Sequence, residues 1–253
     1  MQTVADLVAD ARDREGAFAE GPDRTAPYSY RDVATNAWKA GNLLRNYGVR
    51  HGQRVAVVVG PKAPGEDDEQ GRLGSSPTPL VAVLGAALNG ALVDLDPPGV
   101  VDATVLVAPA DWLARYERGP GTSTLAYGGP PEDPTVAHFE RESWSENPHE
   151  PPADLAPSDG LLAADRVYAH GDLLAASRRV VADHDLTAED AVALRAPVTS
   201  PGALAAGVLA PMRVGATLAV GAGADADVSV VENGDDAGIE DDGTREIAVE
   251  DVF

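Results

Sequence analysis

His170, Asp172 and His184 fall close together in the sequence, and imidazole with carboxylate can hold a metal ion or move protons. The same stretch reads as a helix from Asp172 to about His184, with Asp172 as its N-cap and His170 before it. About three turns then hold the two histidines roughly 15 Å apart, which one metal does not bridge. No metal site is expected. Ser200-Pro201-Gly202 opens another helix whose free N–H groups could receive an anion. A serine N-cap followed by proline at the first helical position is the plainer account of the same residues.

The acid pairs Asp67 and Asp68, Asp235 and Asp236, and Asp241 and Asp242 are candidates for calcium binding or acid–base work, but each lies in a polar loop and reads as solvated surface. GAGADAD, at 221–227, reads as a turn before a strand. The chain has no GxSxG elbow, no HExxH zinc helix, no lysine-ended phosphate loop and no GxGxxG after a strand. No catalytic residue is assigned. Trp38, Trp112 and Trp144 are expected to pack in the core or between lobes.

Composition narrows the classes further. Against 41 Asp and Glu stand 19 Lys and Arg, for a formal net charge of −22 and a pI near 4.4. Nucleic acid and anionic membranes repel such a surface, so neither is an expected partner. Lys39 and Lys62 are the only lysines, aromatics make up 5%, and small residues abound. This composition is similar to that of proteins from salt-in halophiles, where screening relieves the self-repulsion. Cysteine is absent, which removes disulfides and thiolate chemistry. The opening MQTVADLVADARDREG carries acids where a secretory signal needs a basic start, and no apolar run approaches the roughly 20 residues of a membrane span. A soluble, cytoplasmic protein is expected.

The elements that must position these residues alternate. A helix capped by Thr3 with Asp6 is followed by a short strand at Tyr28–Tyr30, a helix to Gly48 and a buried strand at 54–59. The polar, acidic run 60–77 reads as a mobile surface loop. Thr78 and Pro79 supply the cap and first-turn proline of an apolar helix closed by Gly90, and the strands ALVDL and ATVLV follow. A Pro-rich, acidic stretch at 128–158 is expected to link a first lobe, 1–127, to a second, 159–253, unless the whole is one continuous domain. Short strands around Leu161 and Val167, a helix at 172–184, the strand AVAL, a helix from Ser200, and the strands ATLAV, DVSVV and EIAV complete the chain. Continuous apolar strands between helices predict an α/β fold of mostly parallel sheets flanked by helices.

Four stretches in order, PYSYRDVATNAWKAGNLLRNYGVRHGQRVAVV, LGAALNGALVDLDPP, YAHGDLLAASRRV and LRAPVTSPGALAAGVLAPMRVGATLAVG, resemble the AMP-forming acyl-CoA synthetases of the adenylate-forming superfamily. The resemblance implies the first part of the large N-terminal domain of those enzymes. It also implies an ATP site on a Ser/Thr/Gly-rich loop ending in Pro-Lys-Gly, and a lysine in a C-terminal lid. The matching stretch here is SDGLLAADRVYAHGDLL, whose strands are joined by Ala163–Arg166 alone, with Asp165 where a triphosphate needs positive charge. Both lysines lie in the first quarter of the chain, so neither matches the lid lysine, and the lid is expected to be missing. His170 matches a family histidine that follows the phosphate loop.

Three readings result. In the first, a non-catalytic synthetase-like protein assembles with itself or with a metabolic enzyme. In the second, a binding module keeps a pocket for an acyl-adenylate, a nucleotide such as ATP or AMP, or coenzyme A, near His170, Arg166, Ser200 and Gly215. In the third, an AMP-forming ligase is active with a partner chain.

Overall fold

The apolar runs of the sequence become the strands of two mostly parallel sheets, seen in a computed structural model that describes residues 1–21, 25–65, 68–221, 223–232 and 244–253. In chain order the elements begin with α1 (Val4–Arg12), β1 (Ala17–Glu20), β2 (Tyr28–Ser29), α2 (Tyr30–Asn46) and β3 (Arg54–Val57). Next come α3 (Thr78–Ala87), β4 (Leu92–Asp94), β5 (Val100–Val101), β6 (Val105–Pro109), a 3-10 turn at Ala110–Arg115, β7 (Glu117–Arg118) and β8 (Ser123–Tyr127). β9 (Ala137–His138), α4 (Phe139–Trp144), β10 (Gly160–Ala163), β11 (Val167–Ala169), α5 (His170–Asp183) and β12 (Ala191–Leu194) follow. The last helix runs as α6 (Pro201–Leu204), a π-helical turn (Ala205–Leu209) and α7 (Ala210–Val214), before β13 (Thr217–Ala219), β14 (Val228–Val231), β15 (Arg245–Ala248) and a 3-10 turn at Val249–Val252.

One sheet has the order β11-β10-β4-β3-β6-β8-β9 and is parallel except for the β10–β11 hairpin. The other has the order β15-β14-β12-β13-β1-β2 and is parallel except for β2. A single buried cluster joins Val55, Val57, Val105 and Val107 of the first sheet to Val192, Leu218 and Val230 of the second through the helices between them. Alternate residues of the first sheet, Ala56, Leu106 and Ala108, face away from it and pack with Trp112 and Val101 in a smaller cluster.

Helices α2 and α3 cross with almost no side chain between them. A Cβ placed on Gly85 would lie 2.7 Å from the Ala40 Cβ and 2.8 Å from the Gly41 nitrogen. Asn89, 1% exposed, closes the crossing by donating from Nδ2 to the carbonyls of Gly41 (2.9 Å) and Gly85 (3.1 Å). Both helix backbones are thereby tied to one side chain, and each buried amide group has a partner.

Several local expectations shift. The Thr3 and Asp6 capping box forms as expected, but Thr78 is the first residue of α3, not its cap, which falls on Pro77 without a side-chain bond. Asp172 is likewise inside α5, reaching back to the Ala169 N–H (3.0 Å), and His170 is helical. Tyr30 opens α2 where a strand residue was expected. The stretch 128–158 contains β9 and α4, so it builds structure instead of only linking lobes. β10 and β11 join β3, β4, β6, β8 and β9 in one sheet, β1 and β2 join β12–β15 in the other, and β5 pairs with β7 apart from both; strand pairing between distant segments leaves no local sequence mark. Within 60–77, Gly71 bridges the segments that follow β3 and β12, donating to Val59 O (2.8 Å) and accepting from Val198 N–H (2.9 Å). Trp112 is buried and Trp38 nearly so, but Trp144 is 81% exposed. Asp67 and the acidic pairs at 235–236 and 241–242 lie outside the described residues, and Asp68 bonds the Gly65 N–H (2.6 Å).

Glycine to alanine in a helix ordinarily gains about 1 kcal/mol. At the crossing the added methyl has no room, and forcing extra volume into packed structure costs about 1–3 kcal/mol. Gly85→Ala is therefore expected to lower the denaturant midpoint at constant KCl, and an unchanged or higher midpoint would show that the crossing tolerates a wider spacing.

Candidate functional site

In parallel α/β sheets ligands bind beyond the carboxyl ends of strands, where loops and helix starts converge. Here a cleft of about 470 Å³ lies beyond the ends of β4 and β10 and against the start of α6, lined by Arg54, Asp94, Asp96, Asp165, Thr199 and Ser200 among others. Its charge is mainly negative. Arg54 lies 3.5 Å from Asp94, and Asp94 also accepts the Asp96 N–H (3.1 Å). Asp96 accepts from Gln70 (2.9 Å), and Asp165 from the Tyr168 hydroxyl (3.1 Å).

The turn between β10 and β11 is tight, because Ala163 pairs with Val167 and the Ala164 N–H donates to Arg166 O at 3.0 Å. It contains no glycine. The Arg166 guanidinium turns away from the turn backbone to lie 3.9 Å over the Tyr168 ring and 3.8 Å from Asp172. Ser200 caps α6, its Oγ accepting the Ala203 N–H (3.1 Å). One guanidinium among three carboxylates and a glycine-free turn do not fit a triphosphate chain, which needs several convergent N–H groups and positive charge.

Of the four residues expected to bind a ligand, only Ser200 lines this cleft; Arg166 sits beside its wall. Gly215 is the left-handed C-cap of α7 (φ 92°), packed against Arg14, which donates to Met212 O (2.8 Å). His170 is fully buried at the junction of α5 with α1. Its Nδ1 accepts the Val4 N–H (3.2 Å), capping α1 from a distant segment, and the His170 backbone N–H donates to Asp159 O (3.0 Å). Burial pushes its pKa down to about 4, against the pull of Asp159 and Asp6 and with the push of His51. His51 Nε2 lies 3.0 Å from Asp159, whose carboxyl is held below its ordinary range by the Ala156 N–H and by His51. His184 ends α5, where its carbonyl accepts from Arg245 (2.7 Å). Among the described residues no group of three His, Asp or Glu side chains could hold a metal, and no helix is long and apolar enough to cross a membrane.

Asp94 and Asp96 were missed from the sequence. The signal was their place directly after the apolar run of β4, at a parallel strand's carboxyl end.

No protein-family model matches the sequence, and no curated protein matches it. Solved structures do. The chain superposes on an anthranilate CoA ligase in complex with anthranoyl-AMP (TM-score 0.69, 16% identity), covering 90% of this chain and 49% of that one. A benzoate CoA ligase from Burkholderia xenovorans LB400 matches at TM-score 0.66 and 18% identity, with 90% of this chain and 50% of that one covered. The N-terminal domain of FACL13 from Mycobacterium tuberculosis matches at 0.65 and 14%, with 91% and 62% covered. The chain thus has the α/β fold of the N-terminal part of adenylate-forming CoA ligases, and spans about half the length of the first two matched ligases.

Because His170 is neutral when folded, the unfolded chain binds one more proton between pH 6.5 and about 4. The stability this contributes is complete above pH 6.5 and is lost as pH falls toward 4, by about 3 kcal/mol in all. His170→Asn keeps an acceptor for the Val4 N–H without a titrating ring, so denaturant midpoints measured across that range should fall less in the variant. An equal pH dependence in both proteins would place the acid sensitivity elsewhere.

Proposed function

We propose that the chain is a synthetase-like protein that does not adenylate, and that it acts in the cytoplasm of a salt-rich cell by assembling with itself or with a metabolic enzyme. The observation that carries this reading is the β10–β11 turn: three residues without glycine, facing a cleft of carboxylates. A growing negative charge on a transferring nucleotide would meet like charges there instead of convergent donors. Assembly is supported by Trp144, 81% exposed on the short α4, with Lys39 Nζ 5.2 Å from its ring centre and donating to its carbonyl (2.9 Å). Large aromatics in that setting are the usual anchors of protein interfaces. The acidic, lysine-poor surface supports the salt-rich setting, since molar salt contracts the reach of each charge to about 3 Å.

A second reading is favoured by the cleft itself. With its volume and the start of α6, it offers a place for part of an acyl-adenylate, AMP or coenzyme A, with Ser200 in its wall, Arg166 beside it, and His170 and Gly215 capping helices elsewhere in the fold. Ligase activity completed by a partner chain is the third outcome that the same assays can detect.

Purified protein in molar KCl is expected to release no pyrophosphate from ATP with acyl substrates and to give no saturable heat with ATP. Light scattering should report a mass above the monomer, and Trp144→Ala should lower it. A strict monomer that binds an acyl-adenylate analogue or coenzyme A would replace assembly with the binding reading, and pyrophosphate release would restore the ligase.

A further inference from the structure

A second cavity, of about 540 Å³, lies on the opposite side of the β3–β6–β8 sheet from the main core. The parallel register sets Leu106 against Thr124, and because Val105, Val107, Leu125 and Tyr127 enter the main core, Leu106 and Thr124 project from the other face. That face is thinly covered. The parallel crossover from β4 to β6 carries only β5 where such connections ordinarily carry a helix, and the 3-10 turn at Ala110–Arg115 shields the rest.

The cavity's lining divides by exposure. Leu106, Thr124 and Val136 are buried, at 1%, 4% and 8%. Leu113 and Ala114 form an apolar wall, and Asp111, Arg118, Glu132 and Asp133 reach solvent at the mouth. Arg118 is committed to Asp133 at 3.3 Å, whereas Asp111 and Glu132 make no ion pair among the described residues, so the mouth is net negative. The Thr124 Oγ1 is buried and has no hydrogen-bond partner among the described residues. Buried hydroxyls are satisfied in the great majority of cases, and Thr124 belongs to the wall of a cavity large enough for a small molecule, with its Oγ1 just beneath that wall.

We infer that this cavity is a binding site for a small hydroxyaryl amine. Its ring lies over Leu106 between Leu113 and Val136, its hydroxyl meets Thr124, and its ammonium sits at the mouth with Asp111 and Glu132. A charged group at the buried end would lose its hydration without a counter-charge, so the polar group there is neutral. A carboxylate at the mouth would meet like charge. The site is separate from the cleft at α6 and does not depend on the function proposed above.

Calorimetric titration of the whole chain with tyramine, phenethylamine and 3-(4-hydroxyphenyl)propanoate tests this. Tyramine is expected to saturate one site, phenethylamine to bind roughly tenfold more weakly for want of the hydroxyl, and the propanoate to bind more weakly than tyramine. Thr124→Val should remove the difference between the two amines, and Ala114→Trp, on the exposed wall, should abolish binding while circular dichroism stays that of the unchanged protein. No saturable tyramine binding, equal affinity for all three compounds, or binding that survives Ala114→Trp would each overturn the assignment.

Discussion

The α2–α3 crossing at Gly41 and Gly85 sets the spacing on which the rest of the molecule depends. Helix α2 also packs against α1 and α4, and α3 lies against β3, β4 and β6, so the distance between these two axes carries through to the sheets. Two glycines let the backbones meet, and Asn89 makes the closeness specific because its amide finds both carbonyls only at this separation. A buried amide with one carbonyl moved away would be left unsatisfied, which costs more than the bond itself contributes. The apolar side chains of α3, buried along its whole length, supply the bulk of the attraction. The polar contact selects one arrangement among many that would bury similar area.

His170 makes a comparable tie between segments far apart in the chain. Its imidazole accepts the first helical N–H of α1, so the N-terminal helix is held by the start of α5. The family resemblance pointed to this histidine as one of four ligand contacts, and its chemistry is indeed polar and specific. In the structure that chemistry is directed inward to a backbone donor. Arg166 and Gly215 are likewise engaged with neighbours of their own, Tyr168 and Asp172 in one case and Arg14 in the other.

What was legible in the residues was what depends on nearby residues. Continuous apolar runs marked β3, β4, β6, β12 and β14, and the Thr3–Asp6 pair marked the start of α1, because burial and capping act within a few positions. Proline at 79 drew the cap of α3 one residue too far, since proline is at home at the second helical position as well as the first. The strand and helix inside 128–158 were hidden by prolines and acids on either side, although Phe139 and Val136 are the buried residues that anchor them. Nothing local could show that β1 joins β13, which lies about two hundred residues further along. The acidic residues of the cleft left only a faint mark, their place at a strand's end, because in so acidic a chain one more aspartate there carries little information.

Both sheets end on strands of only two residues at one side, β2 and β9. At low ionic strength a charge of −22 would by itself keep copies of this chain apart, but concentrated salt removes that protection. Strands so short offer few unpaired backbone groups to a passing chain, so at these two borders geometry does what repulsion no longer can. Where the strands stop thus limits strand addition at these two borders at any salt concentration.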